Sequence, residues 1–146
     1  MRAYVFSLGR VLSWRRTELE LEENRLRRMA AVLLELDHAA HRLELARERA
    51  EQAVRQAPST QAADLWALAA YRDRLLAESR TLAERRKIAE AQLAAQRRKL
   101  LEAQRQCRLL EKLDQRRREE WRAEADREAE SLAAETFLAG WRRHHP

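Results

Sequence analysis

The sequence predicts an all-α fold: a long antiparallel two-helix coiled coil, a helical hairpin, whose second helix overhangs the first. Glycine and proline number only two each among 146 residues, too few for a fold made of strands and turns. Charged residues make up 37% of the chain, which together with abundant Ala, Leu, Glu and Arg is typical of long helices. Apolar residues recur along the chain instead of clustering, and this predicts a narrow seam between helices.

The first helix is expected over about residues 8–56, where apolar residues follow a seven-residue repeat. Thirteen of the sixteen seam positions, a and d of each heptad, are apolar. A strict repeat of seven predicts a left-handed supercoil. The a positions are Val5, Leu12, Leu19, Leu26, Leu33, Ala40, Arg47 and Val54, and the d positions are Leu8, Arg15, Glu22, Met29, Leu36, Leu43, Ala50 and Ala57.

A turn is predicted at residues 57–60, followed by a second helix over about 60–139, so that residues 1–146 form a single hairpin domain. Pro58 disfavours a helical conformation of Ala57, and Ser59 or Thr60 can cap the next helix. Gly140 marks the expected end. The a positions are Leu65, Arg72, Ser79, Arg86, Leu93, Leu100 and Cys107, and the d positions are Leu68, Leu75, Leu82, Ala89, Gln96, Ala103 and Leu110.

The short turn makes the two helices antiparallel neighbours. Folding about Pro58 pairs seam residues whose numbers sum to about 115, which places Leu33 opposite Leu82; a register shifted by one heptad satisfies the apolar pattern too. The second helix extends beyond its partner, and its amphipathic overhang from Leu109 onward predicts a docking surface. The alternative is a solvated tail held by charge pairs four residues apart.

The composition argues against an enzyme. The single Cys107 excludes an internal disulfide and fits a reducing compartment; at an a position it is expected to be a seam residue. Two isolated glycines cannot build a phosphate-binding loop, and His38 and His41 lack a third metal ligand. No apolar run reaches the roughly 18 residues that a membrane span needs. We therefore expect no cofactor, no metal and no transmembrane segment.

The net charge of +6 is concentrated in one stretch of the second helix. Between Arg97 and Arg118, nine basic residues accompany three acidic ones, which predicts a surface for an anionic partner. A nucleic-acid-binding helix, with Trp121 as a stacking residue, is one alternative. Because Glu119 and Glu120 follow at once, a solvated or protein-binding face is favoured and nucleic acid is not expected.

Two segments resemble the FliJ family of flagellar export proteins, and the resemblance spans nearly the whole chain. The opening stretch has the spacing Phe-x-Leu-x-x-Val-Leu-x-x-Arg, and the later stretch carries Leu-Glu-Lys-Leu followed by Arg and Glu. The residues are Phe6, Leu8, Val11, Leu12 and Arg15 in the first, and Leu110, Glu111, Lys112, Leu113, Arg117 and Glu120 in the second.

The resemblance implies a cytoplasmic stalk protein at the cytoplasmic face of the membrane near the flagellar base. It would associate with the export ATPase hexamer, the export gate membrane protein and export chaperones; a similar stalk serves virulence-type secretion systems. Leu65, Trp66 and Tyr71, at the hairpin end, would be free for the gate. The residues carried over to the ATPase end are Phe6, Leu8, Val11, Leu12, Leu110, Leu113 and Arg117.

A different class of function stays open alongside the stalk. The chain could be a structural coiled coil that self-associates, its helices pairing between molecules instead of within one. The Pro58 turn favours the alternative of a monomeric hairpin.

Overall fold

The computed structural model describes residues 3–144, which form two helices and no strand. Helix α1 spans Gly9–Gln56 and helix α2 spans Ala62–His144. The two helices pack against each other as an antiparallel hairpin, which confirms the predicted fold class. Residues 1–2 and 145–146 of the expected 1–146 range lie outside the described residues.

Two backbone hydrogen bonds mark the start of helix α1. The N–H of Gly9 donates to the carbonyl oxygen of Phe6 at 3.0 Å, and that of Leu12 donates to Leu8 at 2.9 Å. Val5 therefore precedes the helix, and 82% of its surface is exposed. Its predicted seam position is wrong, because a heptad count holds only within a continuous helix.

Helix α2 is capped by a different residue from the ones predicted. The backbone N–H of Gln61 donates to Oδ2 of Asp64 at 3.0 Å, and the N–H of Asp64 donates back to the carbonyl oxygen of Gln61 at 3.1 Å. This is the reach-back half of a capping box. The caps expected at Ser59 or Thr60 are thus wrong, and α2 starts two residues later than the predicted residue 60.

The far end of α2 extends beyond the predicted residue 139. Gly140 has no positive φ, so it does not adopt the left-handed conformation with which glycine ends helices. The helix instead runs through it to His144.

The chain divides into two compact units, one formed by Met1–Glu20 with Glu102–Pro146 and the other by Leu21–Leu101. We call them the terminal unit and the hairpin unit. Each has its own short core at predicted a and d positions. The buried residues are Leu12 and Cys107 in the terminal unit, and Leu75, Ala89, Leu93 and Gln96 in the hairpin unit.

The contacts between the helices fall at larger residue-number sums than the predicted 115. In the hairpin unit, Arg86 Nε lies 2.6 Å from Asp37 Oδ1, and Arg72 Nε lies 3.3 Å from Glu51 Oε1. The residue numbers of both pairs sum to 123. In the seam, the contact of Gln96 with Glu22 sums to 118. The sums therefore span 118 to 123, and the pairing of Leu33 with Leu82 stays a prediction.

The terminal unit also brings its segments together at a sum above 115. Arg117 Nη1 donates to Ser7 Oγ at 3.0 Å, a pair whose numbers sum to 124. The charges of Arg15 and Arg16 act on the Cys107 thiol, so this part of α1 lies near Cys107.

Near the turn, α2 uses its d positions and not its a positions. Leu75 is buried and Leu68 is half-buried, whereas 54% of Leu65 is exposed. The other a positions there, Arg72, Ser79 and Arg86, are exposed as well. Burying the unpaired guanidinium groups would be costly, and at the rim Arg72 and Arg86 reach acidic residues of α1 instead.

One polar side chain is enclosed in the seam of the hairpin unit. Gln96 is only 3% exposed, and its Nε2 donates to the Glu22 carbonyl oxygen at 3.2 Å and to the Glu22 carboxylate. Arg25 Nη1 lies 2.8 Å from the same carboxylate. Among the described residues no buried side-chain nitrogen or oxygen lacks a partner, which is how a seam tolerates polar groups.

Candidate functional site

The N-terminal segment of the terminal unit, residues 3–8, is non-helical and lies against α2. The Tyr4 hydroxyl donates to Oδ1 of Asp114 at 2.7 Å and lies 3.1 Å from the Asp114 carbonyl oxygen. Arg118 Nη2 lies 3.3 Å from the other carboxylate oxygen of Asp114. The Asp114 carboxylate therefore binds the N-terminal segment through Tyr4, while Arg118 of the same helix offsets its negative charge.

The ring of Tyr4 is packed between two side chains of α2. Its centroid lies 6.0 Å from that of Trp121 at an interplanar angle of 53°, a favourable tilted arrangement. The Arg118 guanidinium carbon lies 5.3 Å from the Tyr4 ring centroid, within the range of a cation–π contact. We call Tyr4, Asp114, Arg118 and Trp121 the tyrosine clasp.

The electrostatics of the clasp keep Tyr4 protonated. Burial raises the pKa of the Tyr4 hydroxyl, and its hydrogen bond to Asp114 and the negative charge of Asp114 raise that pKa further. Arg118 and Arg117 oppose this shift. The hydroxyl therefore stays a donor, which is the role that Asp114 requires of it.

Exposed contacts of the terminal unit add to the clasp. Arg16 Nη2 lies 3.3 Å from Oε1 of Glu111, and the Ser7 hydroxyl accepts the hydrogen bond from Arg117. Surface ion pairs of this kind contribute about 0–1 kcal/mol each. They help to orient the segment on α2.

Cys107 has the surroundings of a structural residue. It is 3% exposed, and burial raises the pKa of its thiol, as does the charge of Glu111, against the opposing effect of Arg16 and Arg15. Because the thiolate is the reactive form, a raised pKa makes this thiol a poor nucleophile near neutral pH.

Most residues that the family resemblance assigns to the ATPase end are used for internal packing. Leu12 is 5% exposed. Two residues are offered to solvent: Val11, 42% exposed, and Arg117. Their partner roles stay predictions. The half-buried members of the set are Phe6, Leu8, Leu110 and Leu113.

The residues predicted for the hairpin end are accessible. Trp66 is 75% exposed, Leu65 is 54% exposed and Tyr71 is 38% exposed. Tyr71 also lines a groove of the hairpin unit with Val54 and Leu68. Large apolar side chains exposed close together, such as Leu65 and Trp66, are typical of a protein-contact surface.

Sequence reasoning missed Tyr4, Asp114 and Arg118. The spacing of Asp114 and Arg118, four residues apart on one helix, is a visible signal for a charge pair. Tyr4 lies 110 residues from Asp114 in a non-helical segment, where no periodicity indicates a partner.

The described residues 3–144 contain no group of three or more potential metal ligands from His, Cys, Asp and Glu. No helix in that part of the chain is long and apolar enough to cross a membrane.

Comparisons with protein-family models, with curated proteins and with solved structures give no significant match to this chain. The FliJ resemblance therefore depends on the sequence motifs alone.

Proposed function

We propose that this chain is a stalk and adaptor of a type III protein export apparatus of the flagellar kind. One end of the hairpin would lie in the ring of a hexameric export ATPase, at the cytoplasmic face of the membrane. The protein would link the ring to the export gate and to export chaperones. One observation carries the proposal: the two segments that resemble the FliJ family meet in the terminal unit, through Ser7 with Arg117 and Tyr4 with Asp114.

The clasp explains how such an end could act mechanically. A bound protein shifts a conformational equilibrium only through contacts that differ between the states. In the terminal unit the two antiparallel helices, with the N-terminal segment held against α2 by the clasp, present different side chains around their circumference, among them Val11 and Arg117. Ring subunits at different positions would therefore make different contacts with the same end, which biases their states unequally.

The overhang of α2 supports a protein-contact role in the same unit. Helix α2 has 83 residues and α1 has 48, so α2 continues well past the segment that pairs with α1. Large apolar side chains are exposed there: Leu132 at 62%, Phe137 at 72% and Leu138 at 53%. Exposed apolar side chains close together on one helix indicate an interaction surface.

Reconstitution with the export ATPase of the same organism tests the proposal. We expect the chain to increase both hexamer formation, measured by sedimentation, and the rate of ATP hydrolysis. Replacing Phe137→Ser together with Leu138→Ser should remove the effect. The control Leu34→Ser with Leu76→Ser changes two similarly exposed leucines of the hairpin unit and should leave it intact. Unaltered hexamer formation and hydrolysis with the wild-type chain would contradict the stalk role.

The nucleic-acid alternative receives less support from the terminal unit. Trp121, its expected stacking residue, is half-buried and packs beside Tyr4, so its ring is not displayed for bases. Passage of the protein over an immobilised DNA or RNA column at low salt tests this alternative, because binding to phosphates is steeply salt-dependent. Retention that salt releases would favour it.

A further inference from the structure

The face of α2 that points away from α1 carries a row of basic side chains in the terminal unit. Arg105, Arg108, Lys112 and Arg116 recur every three or four residues and are all exposed, so they lie on one side of the helix. Leu109 lies among them and is 58% exposed. Within residues 3–144 none of the four cations forms an ion pair. We call this row the basic block.

The basic block is unfavourable in an isolated chain. Each member has another cation three or four residues away, and like charges at that spacing destabilise a helix. Glu102, Glu111 and Glu119 stand three residues from three of these cations, but they accept from Gln106, Arg16 and Gln115 instead. The four cations are therefore left for an opposing charge from outside the helix.

The same face carries the opposite charge immediately afterwards. Glu119, Asp126 and Glu130 continue the row at helical spacing and are exposed; we call them the acidic block. Residues 105–118 contain six basic and two acidic side chains, and residues 119–135 contain seven acidic and two basic ones. The charge sign thus reverses once, between Arg118 and Glu119.

We propose that a second copy of this chain docks antiparallel on this face of α2, with the basic block of each copy against the acidic block of the other. A two-fold axis near residue 115 brings Lys112 opposite Glu119 and Arg105 opposite Asp126. Each contact then occurs twice, as an isologous interface requires. Leu109 comes to lie near Ala123 of the opposite helix, which adds an apolar contact between the two charged pairs.

The presence of both charge signs on one face favours a second copy over other partners. A polyanion such as nucleic acid would be attracted by the basic block and repelled by the acidic block that directly follows it. The seam stays within each molecule, so this dimer differs from a coiled coil whose helices pair between chains. The inference does not depend on the proposed stalk function.

Sedimentation of the full-length chain tests the interface. At a protein concentration of about 100 μM and about 50 mM salt, we expect a dimer of twice the 17.2 kDa monomer, and raising the salt to about 500 mM should weaken it about tenfold by screening. A monomer at low salt would overturn the proposal. A dimer whose affinity is unaffected by salt would overturn it as well, because such a dimer would be held by apolar contacts.

Charge reversal gives a sharper test. The variant with Arg105→Glu and Lys112→Glu should be monomeric, as should the variant with Glu119→Lys and Asp126→Lys. Mixed together, the two variants should form a heterodimer, because every facing pair is again of opposite sign. Dimerisation of either variant alone at the wild-type affinity would contradict the interface, and so would failure of the mixture to associate.

A control variant separates the interface from net charge and from folding. Reversing Arg49→Glu and Arg80→Glu changes two exposed arginines of the hairpin unit and alters the net charge equally. This variant should dimerise like the wild type. Circular dichroism of each variant verifies that the helices are formed.

Discussion

The register of the helices can be tested with the cysteine that the chain already contains. Arg15 lies close enough to Cys107 for its charge to act on the thiol, whereas the sum of 115 predicted from the sequence would place Leu8 opposite Cys107. Because facing seam residues lie within the distance that a disulfide spans, Arg15→Cys should form an intramolecular disulfide with Cys107 on oxidation. Both residues belong to the terminal unit.

The expected gain in stability follows from the length of the closed loop. Positions 15 and 107 are 92 residues apart, and closing a loop of that length in the unfolded chain corresponds to about 4.6 kcal/mol in the chain-entropy account. Strain in the bridge lowers the gain. Replacing Arg15 also removes its exposed ion pair with Glu18, worth about 0–1 kcal/mol. The free energy of unfolding should therefore rise by about 2–4 kcal/mol on oxidation.

The assay has to take account of the raised pKa of the Cys107 thiol. Thiol–disulfide exchange requires the thiolate, so oxidation is carried out in a glutathione redox buffer at mildly alkaline pH. Non-reducing electrophoresis and mass spectrometry identify the bridge, and urea unfolding with and without reductant measures its stabilisation. Thr17→Cys, at an exposed position on the same helix, is the control and should not cross-link within the chain. A disulfide from Leu8→Cys but not from Arg15→Cys would refute the register.

Three other predictions concern the seam and the clasp. Leu93→Ala should lower the unfolding free energy by about 2 kcal/mol, near the lower end for buried leucines because a narrow seam can partly collapse, while Leu76→Ala, at a position 52% exposed, should cost under about 0.5 kcal/mol; equal losses in urea unfolding would contradict the seam. A double-mutant cycle of Glu22→Ala and Gln96→Ala should give a coupling of about 1–2 kcal/mol, because one partner is charged, and additive effects would mean that the hydrogen bond is absent. The raised pKa of Tyr4 contributes stability that is present below its unfolded pKa near 10.0 and is lost as pH rises through the higher folded pKa; Tyr4→Phe should therefore flatten the alkaline fall in melting temperature, and parallel curves would contradict the clasp.

The sequence predicted the fold class and much of the core because both depend on local periodicity. Leu12, Leu93 and Cys107 occupy predicted a positions and are buried. The same periodicity failed at Leu65, since an apolar residue at an a position can stay exposed where neighbouring a positions carry Arg72 and Arg86. The position in a heptad indicates which side chains can face the partner helix. Whether they are buried there also depends on the charged side chains beside them.

The clasp could not be predicted on these grounds. Its central contact joins Tyr4, in a non-helical segment, to Asp114 at a sequence separation of 110 residues. Heptad and helix-capping patterns describe residues that are close in sequence. The contact of Tyr4 with Asp114 depends instead on where the pairing of the helices places the N-terminal segment. An error of one heptad would move the expected partner of Tyr4 by seven residues along α2.

The larger residue-number sums trace to the chemistry of the turn. A cap at Ser59 or Thr60 starts α2 early and centres the turn near residue 58, which corresponds to a sum of 115. Capping by Gln61 with Asp64 starts α2 at Ala62, while Pro58 still ends α1 at Gln56. The turn then covers residues 57–61, and its centre moves toward the C-terminus. A centre near residue 59 corresponds to a sum of about 118, the sum of the Gln96–Glu22 contact, so the choice of capping residue shifts which side chains meet across the seam of the hairpin unit.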